Sequence, residues 1–409
     1  MPSSDFLHEA TERGFVFQCT DGDALDAALR GGVVSGYIGF DLTADSLHVG
    51  SLVQIMLLRL LGRHGHRPVA LMGGGTSKIG DPSLREEARQ LLTLELIAQN
   101  KQGIRRTVEQ FIRFGDAPGE ALLADNADWL DRLGYIELLR EVGPHFSISR
   151  MLGFDSVKTR LDREQGLTFL EFNYSILQSY DFRELSRRHG VSLQMGGSDQ
   201  WGNIVSGVDL VRRTDARQVF GLTTPLIATA SGAKMGKTAQ GAVWLTADRL
   251  PAFDYWQFWR NTEDADVGRF LRLFTDFPLA EIARMEALRG AEVNEAKRLL
   301  ATAATAMAHG QAAADQAAET ARTGAVADLP LVTVPAAELV DSHVPVFRLL
   351  ALAGLVASNA EGRRLIRGGG ARLDDVAVSD EAMLVSEGAL RGGVKLSSGR
   401  KHHRRVAVK

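Results

Sequence analysis

Short apolar segments alternate with longer amphipathic segments through the first half of this chain. Residues 33–39, 68–74 and 191–195 are compact apolar runs, which predict strands. The longer segments between them have helical periodicity, and this alternation predicts an α/β fold built on a parallel sheet. Residues 47–61 are apolar on most faces, which is typical of a helix covered by a sheet and neighbouring helices.

The pattern becomes mainly helical after about residue 248. Aromatic side chains cluster over residues 253–259, and an Ala-rich stretch covers residues 294–322. Aromatic residues at helical spacing usually belong to a core. We therefore predict an α-helical domain over residues 248–322, after a first domain over residues 1–247.

The last part of the chain has a third pattern. Residues 323–344 contain prolines and lack a clear amphipathic period, which predicts a linker. A small α+β domain is expected over residues 345–409. Its pattern predicts helices over residues 346–353 and 360–366, and a short strand or hairpin over residues 371–378.

Composition restricts the class of protein. The chain has 409 residues, 45% hydrophobic and 24% charged, which is ordinary for a globular protein with two or three domains. Cys19 is the only cysteine, so neither a disulfide framework nor a cysteine-based zinc site is available. A reducing, cytoplasmic environment is expected. The amino terminus has no secretory pattern and no apolar run has membrane-spanning length, so neither export nor membrane insertion is predicted.

Charge is distributed unevenly along the chain. Residues 345–409 hold 12 Lys or Arg against 6 Asp or Glu, a net charge of +6. Because the whole chain has a net charge of −3, the preceding residues carry −9. A basic terminal segment on an acidic body indicates either a polyanionic partner or a solvated tail, and charge alone favours neither. The adjacent His402 and His403 have no other plausible ligands nearby, so no metal site is predicted there.

Two short runs suggest contacts with a nucleotide. His48-Val-Gly-Ser51 follows a strand-like segment at the start of a predicted helix, where backbone N–H groups and the helix dipole favour phosphate. Lys234-Met-Gly-Lys-Thr238 is a glycine-hinged loop with two ammonium groups. Either run alone is weak evidence, because a helix-start histidine is usually a cap and such a loop is usually solvated surface. Together they predict an ATP site whose phosphates are held from two sides.

Residues around the first run suit transfer of a nucleotidyl group. That reaction needs donors placed where negative charge develops on the phosphates, and Thr43 and His48 can supply them. Gly39 lets the backbone approach a ligand closely, and Gly50 leaves room for a base or ribose. A glycine-rich run at residues 71–82 does not match a phosphate-binding P-loop. It is better explained as a close-approach loop that delivers Asp81 to a site, although the residues alone favour a structural turn.

Two further groups of residues indicate a binding pocket. Tyr174, Gln178 and Asp181 share one face of a predicted helix whose other positions are largely apolar, so this polar stripe either meets solvent or lines a buried pocket. The run Gly196-Gly-Ser-Asp-Gln-Trp-Gly-Asn203 follows a predicted strand. Its glycines permit close approach, and its carboxylate and amide groups suit the hydroxyls of a ribose or the polar groups of an amino acid.

These motifs resemble those of bacterial tyrosyl-tRNA synthetases, which are class I aminoacyl-tRNA synthetases. Residues 40–51 resemble the class I HIGH region, and residues 234–238 resemble the KMSKS loop in its KxGKT form. The run at residues 196–203 and the Tyr174-x-x-x-Gln-x-x-Asp181 pattern are more specific. The resemblance covers nearly the whole chain. It implies a Rossmann-type parallel-sheet catalytic domain, a helical anticodon-binding domain and an S4-type RNA-binding domain.

The resemblance also implies roles for individual residues. For the amino acid, it places Tyr37 and Asp181 at the substrate phenol, and Gln200 beside the reacting carboxylate. The α-ammonium group would be held by Asp81, Tyr174 and Gln178.

For ATP, the implied catalytic residues are Thr43, His48, Arg85, Arg89, Lys234 and Lys237. The implied ATP-binding positions are Gly39, Asp41, His48, Gly50, Ser51, Gly197, Asp199, Lys234, Lys237 and Thr238. Magnesium is expected to accompany the phosphates, without a dedicated protein site.

The implied reaction forms tyrosyl-adenylate from tyrosine and ATP and then transfers the tyrosyl group to tRNA(Tyr). A homodimer is expected, with a candidate interface insertion at residues 120–160, and neither a membrane nor DNA is expected as a partner. Ser51 departs from the family pattern, which usually has histidine there. Three alternatives stay open: a tryptophan-specific relative, which the Tyr37 and Asp181 pair argues against, a small-molecule nucleotidyltransferase, and an RNA-binding protein without catalysis.

Overall fold

The computed structural model describes residues 2–80, 92–163, 167–232, 235–238, 241–323, 329–399 and 402–409. The chain divides into two compact units. The first unit contains residues 1–235 and 268–284, and the second contains residues 236–267 and 285–409.

The helices within the described ranges are α1 Asp5–Arg13, α2 Gly22–Gly31, α3 Val49–Arg63, α4 Leu94–Glu109, α5 Ala127–Leu130, α6 Tyr135–Glu141, α7 Ile148–Leu152, α8 Asp155–Asp162, α9 Phe169–Phe172, α10 Tyr174–His189, α11 Trp201–Asp215, α12 Ala252–Arg260, α13 Val267–Phe274, α14 Leu279–Glu286, α15 Val293–His309, α16 Gln311–Thr323, α17 Val346–Leu352, α18 Asn359–Arg367 and α19 Glu387–Gly392. The strands are β1 Gln18–Cys19, β2 Ser35–Phe40, β3 Arg67–Met72, β4 Leu122–Asp125, β5 Val191–Gly197, β6 Phe220–Thr224, β7 Lys237–Thr238, β8 Gly241–Ala242, β9 Leu331–Val334, β10 His343–Pro345, β11 Ala371–Leu373, β12 Val376–Ala377, β13 Leu384–Ser386, β14 Val394–Ser398 and β15 His402–Val408.

The first unit is built on a sheet whose described strands have the order β1-β6-β5-β2-β3-β4. Strands β2 to β6 are parallel, and β1 pairs antiparallel with β6 at one edge. The three predicted strands are confirmed as β2, β3 and β5. The α/β class with a parallel sheet is therefore confirmed, while β4 and β6 had not been predicted.

The strand order creates a crevice beside β2. The chain runs outward from β2 through β3 to β4, and then returns to the other side of β2 to form β5 and β6. Ligands of open parallel sheets bind outside the carboxyl ends of the strands at such a reversal. The ends of β2 and β5, at residues 39–43 and 196–200, therefore mark the expected binding crevice.

Helix α3 confirms the helix predicted over residues 47–61, and its start is defined by a side-chain cap. His48 precedes the helix in an extended conformation, and its Nδ1 accepts a hydrogen bond from the N–H of Gly50 at 3.0 Å. This bond satisfies one of the N–H groups that a helix start leaves without a partner. The body of α3 is buried through residues such as Ile55 and Leu58, so packing of this apolar helix holds His48 at the crevice end of β2.

Residues 268–284 belong to the first unit although the chain leaves that unit before and after them. The guanidinium of Arg13, on α1, is 3% exposed and donates to three carbonyl oxygens of this segment. A buried cation needs such partners. The predicted helical domain at residues 248–322 is thus divided between the two units by contacts that no local pattern signals.

The helical part of the second unit consists of α12, α15 and α16. Tyr255, Trp256 and Trp259 of α12 are buried, which confirms the predicted core position of these aromatic residues. The Ala-rich stretch forms two helices because the chain turns at Gly310, whose φ of +85° is a conformation that suits glycine.

The carboxyl-terminal part of the second unit is α+β, as predicted. Its main sheet has the described strand order β12-β11-β14-β15-β9, and β11 and β12 form a hairpin. Asp374 and Asp375 form the hairpin turn with φ of +47° and +66°, the signs of a type I′ turn. Strand β9 lies inside the predicted linker at residues 323–344 and pairs in parallel with β15. An edge strand of this length is too short for periodicity to reveal.

None of the helices in the described part of the chain combines the length and apolar character needed to cross a membrane.

Candidate active site

A buried tyrosine lies on β2, directly before the crevice. The side chain of Tyr37 is 1% exposed, and its ring packs against Phe182 with centroids 5.4 Å apart. Its Oη has no hydrogen-bond partner among the described residues. Burial, assisted by the charge of Asp181, raises the pKa of Tyr37 well above its ordinary value, so this phenol stays protonated. Within the described ranges it is therefore a buried hydrogen-bonding group without a partner.

Asp181, on α10, is the second buried polar group of this pocket and is 2% exposed. The indole N–H of Trp129 donates to Oδ1 at 2.7 Å, and the amide of Asn126 donates to Oδ2 at 2.9 Å. Burial raises the pKa of Asp181 to about 7, against the two hydrogen bonds that lower it. The negative charges of Asp41 and Asp125 act in the same direction as burial. Asp181 is therefore poised between its two protonation states near neutral pH.

Asn126 and Trp129, which follow β4, had not been predicted as site residues. The Asn126 Oδ1 accepts from the N–H of Gly75 at 2.7 Å, while its amide also donates to Thr76 Oγ1 at 3.0 Å. Asn126 thereby joins the turn after β3 to Asp181. The available sequence signal was the polar pair Asp125-Asn126, but the short strand β4 that it ends had not been predicted, so nothing placed the pair at the sheet edge with the other site residues.

The glycine-rich run after β3 supports the structural interpretation that the sequence favoured. It forms a single turn of 3-10 helix at residues 76–78, held by Asn126. The Ser77 hydroxyl also accepts from the N–H of Leu42 at 2.7 Å, which ties this turn to the chain leaving β2.

Two residues of the predicted polar face of α10 make hydrogen bonds to other candidate site residues or their neighbours. Tyr174 is 7% exposed, and its hydroxyl donates to Asp41 Oδ1 at 3.2 Å. One turn further along, the Gln178 side-chain oxygen accepts from the amide of Asn203 at 3.2 Å. One helix face therefore reaches the residue that follows β2 and the residues that follow β5.

The residues after β5 form a connected polar group. Asn203 also donates to Gln200 Oε1 at 3.1 Å, and the Gln200 amide donates to Asp199 Oδ2 at 3.0 Å. A Cβ on Gly197 would lie 2.4 Å from Asp199 Oδ1, so a larger residue here would displace this carboxylate. This close approach is to Asp199, and an approach of Gly197 to a ligand stays a prediction.

His48 and Gly50 form a closely packed pair at the start of α3. A Cβ on Gly50 would lie 2.7 Å from His48 Cε1 and 3.1 Å from the carbonyl oxygen of Met235. Because Nδ1 accepts the capping hydrogen bond, the neutral ring of His48 carries its proton on Nε2. Thr43 and Gly39 are exposed nearby, and a Cβ on Gly39 would have no atom within 4 Å. Ser51 donates its backbone N–H to the His48 carbonyl at 2.8 Å, as ordinary helix-start geometry.

Some predicted site residues lie outside the described part of the chain. These are Asp81, Arg85, Arg89 and Lys234. Only the backbone of Lys237 and Thr238 is described, as strand β7 of the second unit, which pairs with β8. Among the described residues, no group of three or more His, Cys, Asp or Glu side chains is arranged to hold a metal ion.

The parallel sheet, its crevice at the strand-order reversal and the capped helix start beside it define a Rossmann-type nucleotide-binding domain with an adjacent buried polar pocket. Residues 30–324 match the family described as class I tRNA synthetases for tryptophan and tyrosine, and the chain belongs to this family.

Individual relatives are similar over most of the chain. The tyrosine–tRNA ligase of Gluconobacter oxydans is 64% identical over 411 residues, covering 98% of this chain and 99% of the relative. That of Rhodospirillum rubrum is 63% identical, covering 100% of this chain and 99% of the relative. The structure of a C-terminally truncated mitochondrial tyrosyl-tRNA synthetase from Aspergillus nidulans has a TM-score of 0.70 and 29% identity, covering 78% of this chain and 94% of that structure.

Proposed function

We propose that this chain is a tyrosine–tRNA ligase, which activates L-tyrosine with ATP and transfers the tyrosyl group to tRNA(Tyr). The observation that carries the choice of amino acid is the Tyr37 and Asp181 pair. Tyr37 on β2 and Asp181 on α10 are both buried, and the Tyr37 hydroxyl has no hydrogen-bond partner among the described residues. A phenolic hydroxyl placed between them would satisfy both.

The same pair explains why other aromatic amino acids would be rejected. A bound phenylalanine would leave the Tyr37 hydroxyl buried without a partner, at a cost of about 1–3 kcal/mol. An indole offers no hydroxyl at this position. The family includes tryptophan enzymes, and the polar pair therefore favours tyrosine.

The rest of α10 and the residues after β5 would orient the reacting end of tyrosine. We assign Tyr174 and Gln178 to its ammonium group and Gln200 to its carboxylate, because their side chains are already held by Asp41 and Asn203. Preorganised groups of this kind lower the cost of bringing two substrates together.

ATP would occupy the crevice between the ends of β2 and β5. Gly39, Thr43 and the start of α3 with His48 face the phosphates in this arrangement, and Asp199 faces the ribose. A tyrosine carboxylate oxygen bonds to the α-phosphorus as the bond to pyrophosphate breaks. The terminal adenosine hydroxyl of tRNA then attacks the carbonyl carbon and AMP leaves. The helix start and His48 stabilise the added charge on the phosphates, and magnesium enters with ATP.

Several roles rest on the family resemblance alone. Asp81 at the ammonium group, Arg85 and Arg89 at the phosphates, and the loop residues Lys234, Lys237 and Thr238 stay predictions.

Pyrophosphate exchange into ATP tests the proposed activity. We expect exchange with tyrosine and none above background with tryptophan. Tyr37→Phe removes one hydroxyl from the pocket. It is expected to lower the ratio of kcat/KM for tyrosine to kcat/KM for phenylalanine by about tenfold or more. The same change in the buried Tyr255 of the second unit is the matched control and is expected to leave this preference unchanged. If none of the amino acids supported exchange, the proposal would be contradicted and a non-catalytic RNA-binding protein would be favoured.

We further propose that the basic carboxyl-terminal segment contacts tRNA, which would place the protein in the cytoplasm, as expected from its lone cysteine. Arg364 is exposed on α18. Arg364→Glu is expected to raise the KM for tRNA and weaken its salt dependence, while tyrosine-dependent pyrophosphate exchange is unchanged. Equal losses in both assays would contradict this division of labour.

A homodimer is also proposed, through the insertion predicted at residues 120–160. Large apolar side chains are exposed along this segment, including Ile136 at 66% and Ile148 at 67%. Clusters of exposed apolar side chains mark interaction sites. Sedimentation of the full chain is expected to give a dimer mass, and Ile136→Asp is expected to shift it toward the monomer. A wild-type monomer at micromolar concentration would contradict the proposal.

A further inference from the structure

We propose that Lys101 and Asp125 form a positioning ion pair for the phenol subsite, because Asp125 fixes the turn that orients Asn126 toward Asp181 and Lys101 offsets the charge of Asp125. This inference deepens the proposed function and rests on it for the identity of the ligand. Neither residue was singled out by the sequence, and neither is among the residues assigned to the substrates above.

The geometry of Asp125 makes it a junction between three elements. It ends β4, and its Oδ1 accepts from the N–H of Gly74 at 3.1 Å and from the N–H of Ala127 at 2.9 Å. Its Oδ2 contacts Lys101 Nζ of α4 at 2.5 Å. A Cβ on Gly74 would lie 2.3 Å from Asp125 Oδ1, so the turn after β3 approaches this carboxylate as closely as only glycine allows.

The next residue along the chain connects this junction to the pocket. Asn126 is 1% exposed and accepts from the N–H of Gly75, next to the N–H that Asp125 holds. Its amide donates to Asp181 Oδ2 at 2.9 Å. Asp125 and Asn126 therefore grip the same turn with consecutive side chains, and any shift of Asp125 moves the donor that holds Asp181.

The ion pair also acts on Asp181 through charge. The titratable groups facing Asp181 are Tyr37 on β2, Asp41 after β2 and Asp125 on β4, and both carboxylates oppose ionisation of Asp181. On the α5 side the contacts are the neutral Asn126 and Trp129, with Arg188 lying over the Trp129 ring at 5.3 Å from its centroid. The Asp125 side chain is only 12% exposed, so water screens it weakly and the ammonium of Lys101 is its direct counter-charge.

Substitutions of Lys101 and of Asp125 should therefore shift the ionisation of Asp181 in opposite directions. Lys101→Met leaves the charge of Asp125 uncompensated and is expected to move the ionisation of Asp181 to higher pH by about half a unit or more. Asp125→Asn removes that charge while keeping an oxygen for Gly74 and Ala127, and is expected to move it to lower pH by a similar amount. Lys101→Arg keeps the charge and is expected to match the wild type.

The indole N–H of Trp129 reports this ionisation directly, because it donates to Asp181. We would record the indole ¹⁵N–¹H signal of the full chain, without substrates, from pH 5 to pH 9. Trp129→Phe assigns the signal among the 5 tryptophans of the chain. The pH profile of kcat/KM for tyrosine in pyrophosphate exchange is the second measurement.

We expect the indole titration to shift in opposite directions in Lys101→Met and Asp125→Asn. In the double variant it should return toward the wild-type position. Shifts in the same direction, or no shift, would overturn the proposal, because a purely structural role predicts equal damage from both ends. If the wild type lacked tyrosine-dependent exchange, the proposed function would fail, and the indole titration would still decide whether the ion pair controls Asp181.

Discussion

Asp181 makes the stability of this protein depend on pH, and Asp181→Asn isolates that contribution. The pKa of Asp181 is raised from 3.8 to about 7 in the folded chain by burial. Between these values the folded state keeps a proton that the unfolded state has released. The free energy of unfolding from this group is therefore greatest below its unfolded pKa, falls as pH rises toward 7, and is constant above. At about 1.36 kcal/mol per unit, the fall amounts to about 4 kcal/mol.

Asp181→Asn removes this pH dependence at the cost of one hydrogen bond. The asparagine oxygen can accept from only one of the donors Asn126 and Trp129, which leaves the other unpaired at a cost of about 1–3 kcal/mol. The wild type has lost about 1.7 kcal/mol of this contribution at pH 5 and about 4 kcal/mol at pH 8. The variant is therefore expected to have a stability similar to that of the wild type at pH 5, and to exceed it at pH 8 by about 1–3 kcal/mol.

Urea unfolding followed by circular dichroism at pH 5, 6, 7 and 8 measures this difference. Asp128→Asn is the matched control, because Asp128 is an exposed carboxylate on α5 beside the pocket, and its substitution should leave the pH dependence unchanged. If the difference in unfolding free energy between wild type and Asp181→Asn were constant from pH 5 to pH 8, Asp181 would not hold its proton in the folded state, and the reasoning would be wrong.

Three further predictions concern the ATP side of the site and the support of α3. Gly50→Ala places a Cβ 2.7 Å from the His48 ring, so we expect tyrosine-dependent pyrophosphate exchange to fall at least tenfold. The free energy of unfolding should change by only about 1 kcal/mol, which is the contribution of a helix cap. Unchanged exchange would show that the position of the His48 ring does not matter for activity. Gly39→Ala meets no atom within 4 Å, so thermal unfolding should stay as in the wild type while the KM for ATP rises, and a lowered melting temperature would contradict the open space. Asp276→Asn weakens the ion pair between Asp276 and Arg59, in which the closest atoms are 2.5 Å apart. This change should lower the free energy of unfolding by about 1 kcal/mol in urea titrations. An unchanged unfolding midpoint would mean that solvent screens the ion pair fully.

The parts of the fold that the sequence revealed are those with a local periodic signal. Strands β2, β3 and β5, and helix α3, each bury a continuous apolar pattern. Spacing along one helix was also sufficient to place Tyr174, Gln178 and Asp181 on a shared face, because residues separated by one or two turns lie above one another. Short elements such as β9 carry too few residues for a pattern to emerge.

The contacts that make the pocket were decided by tertiary structure. Asn126 and Trp129 hold Asp181 from 55 and 52 residues away, and Arg13 holds the carbonyl oxygen of Phe277 from 264 residues away. The sequence by itself determined which residues are candidates for chemistry and which segments are apolar, because side-chain type and periodicity are local properties. The protonation state of a buried carboxylate depends on the donors that contact it. Those donors are brought to it by the pairing order of distant strands, and that order exists only in the folded chain.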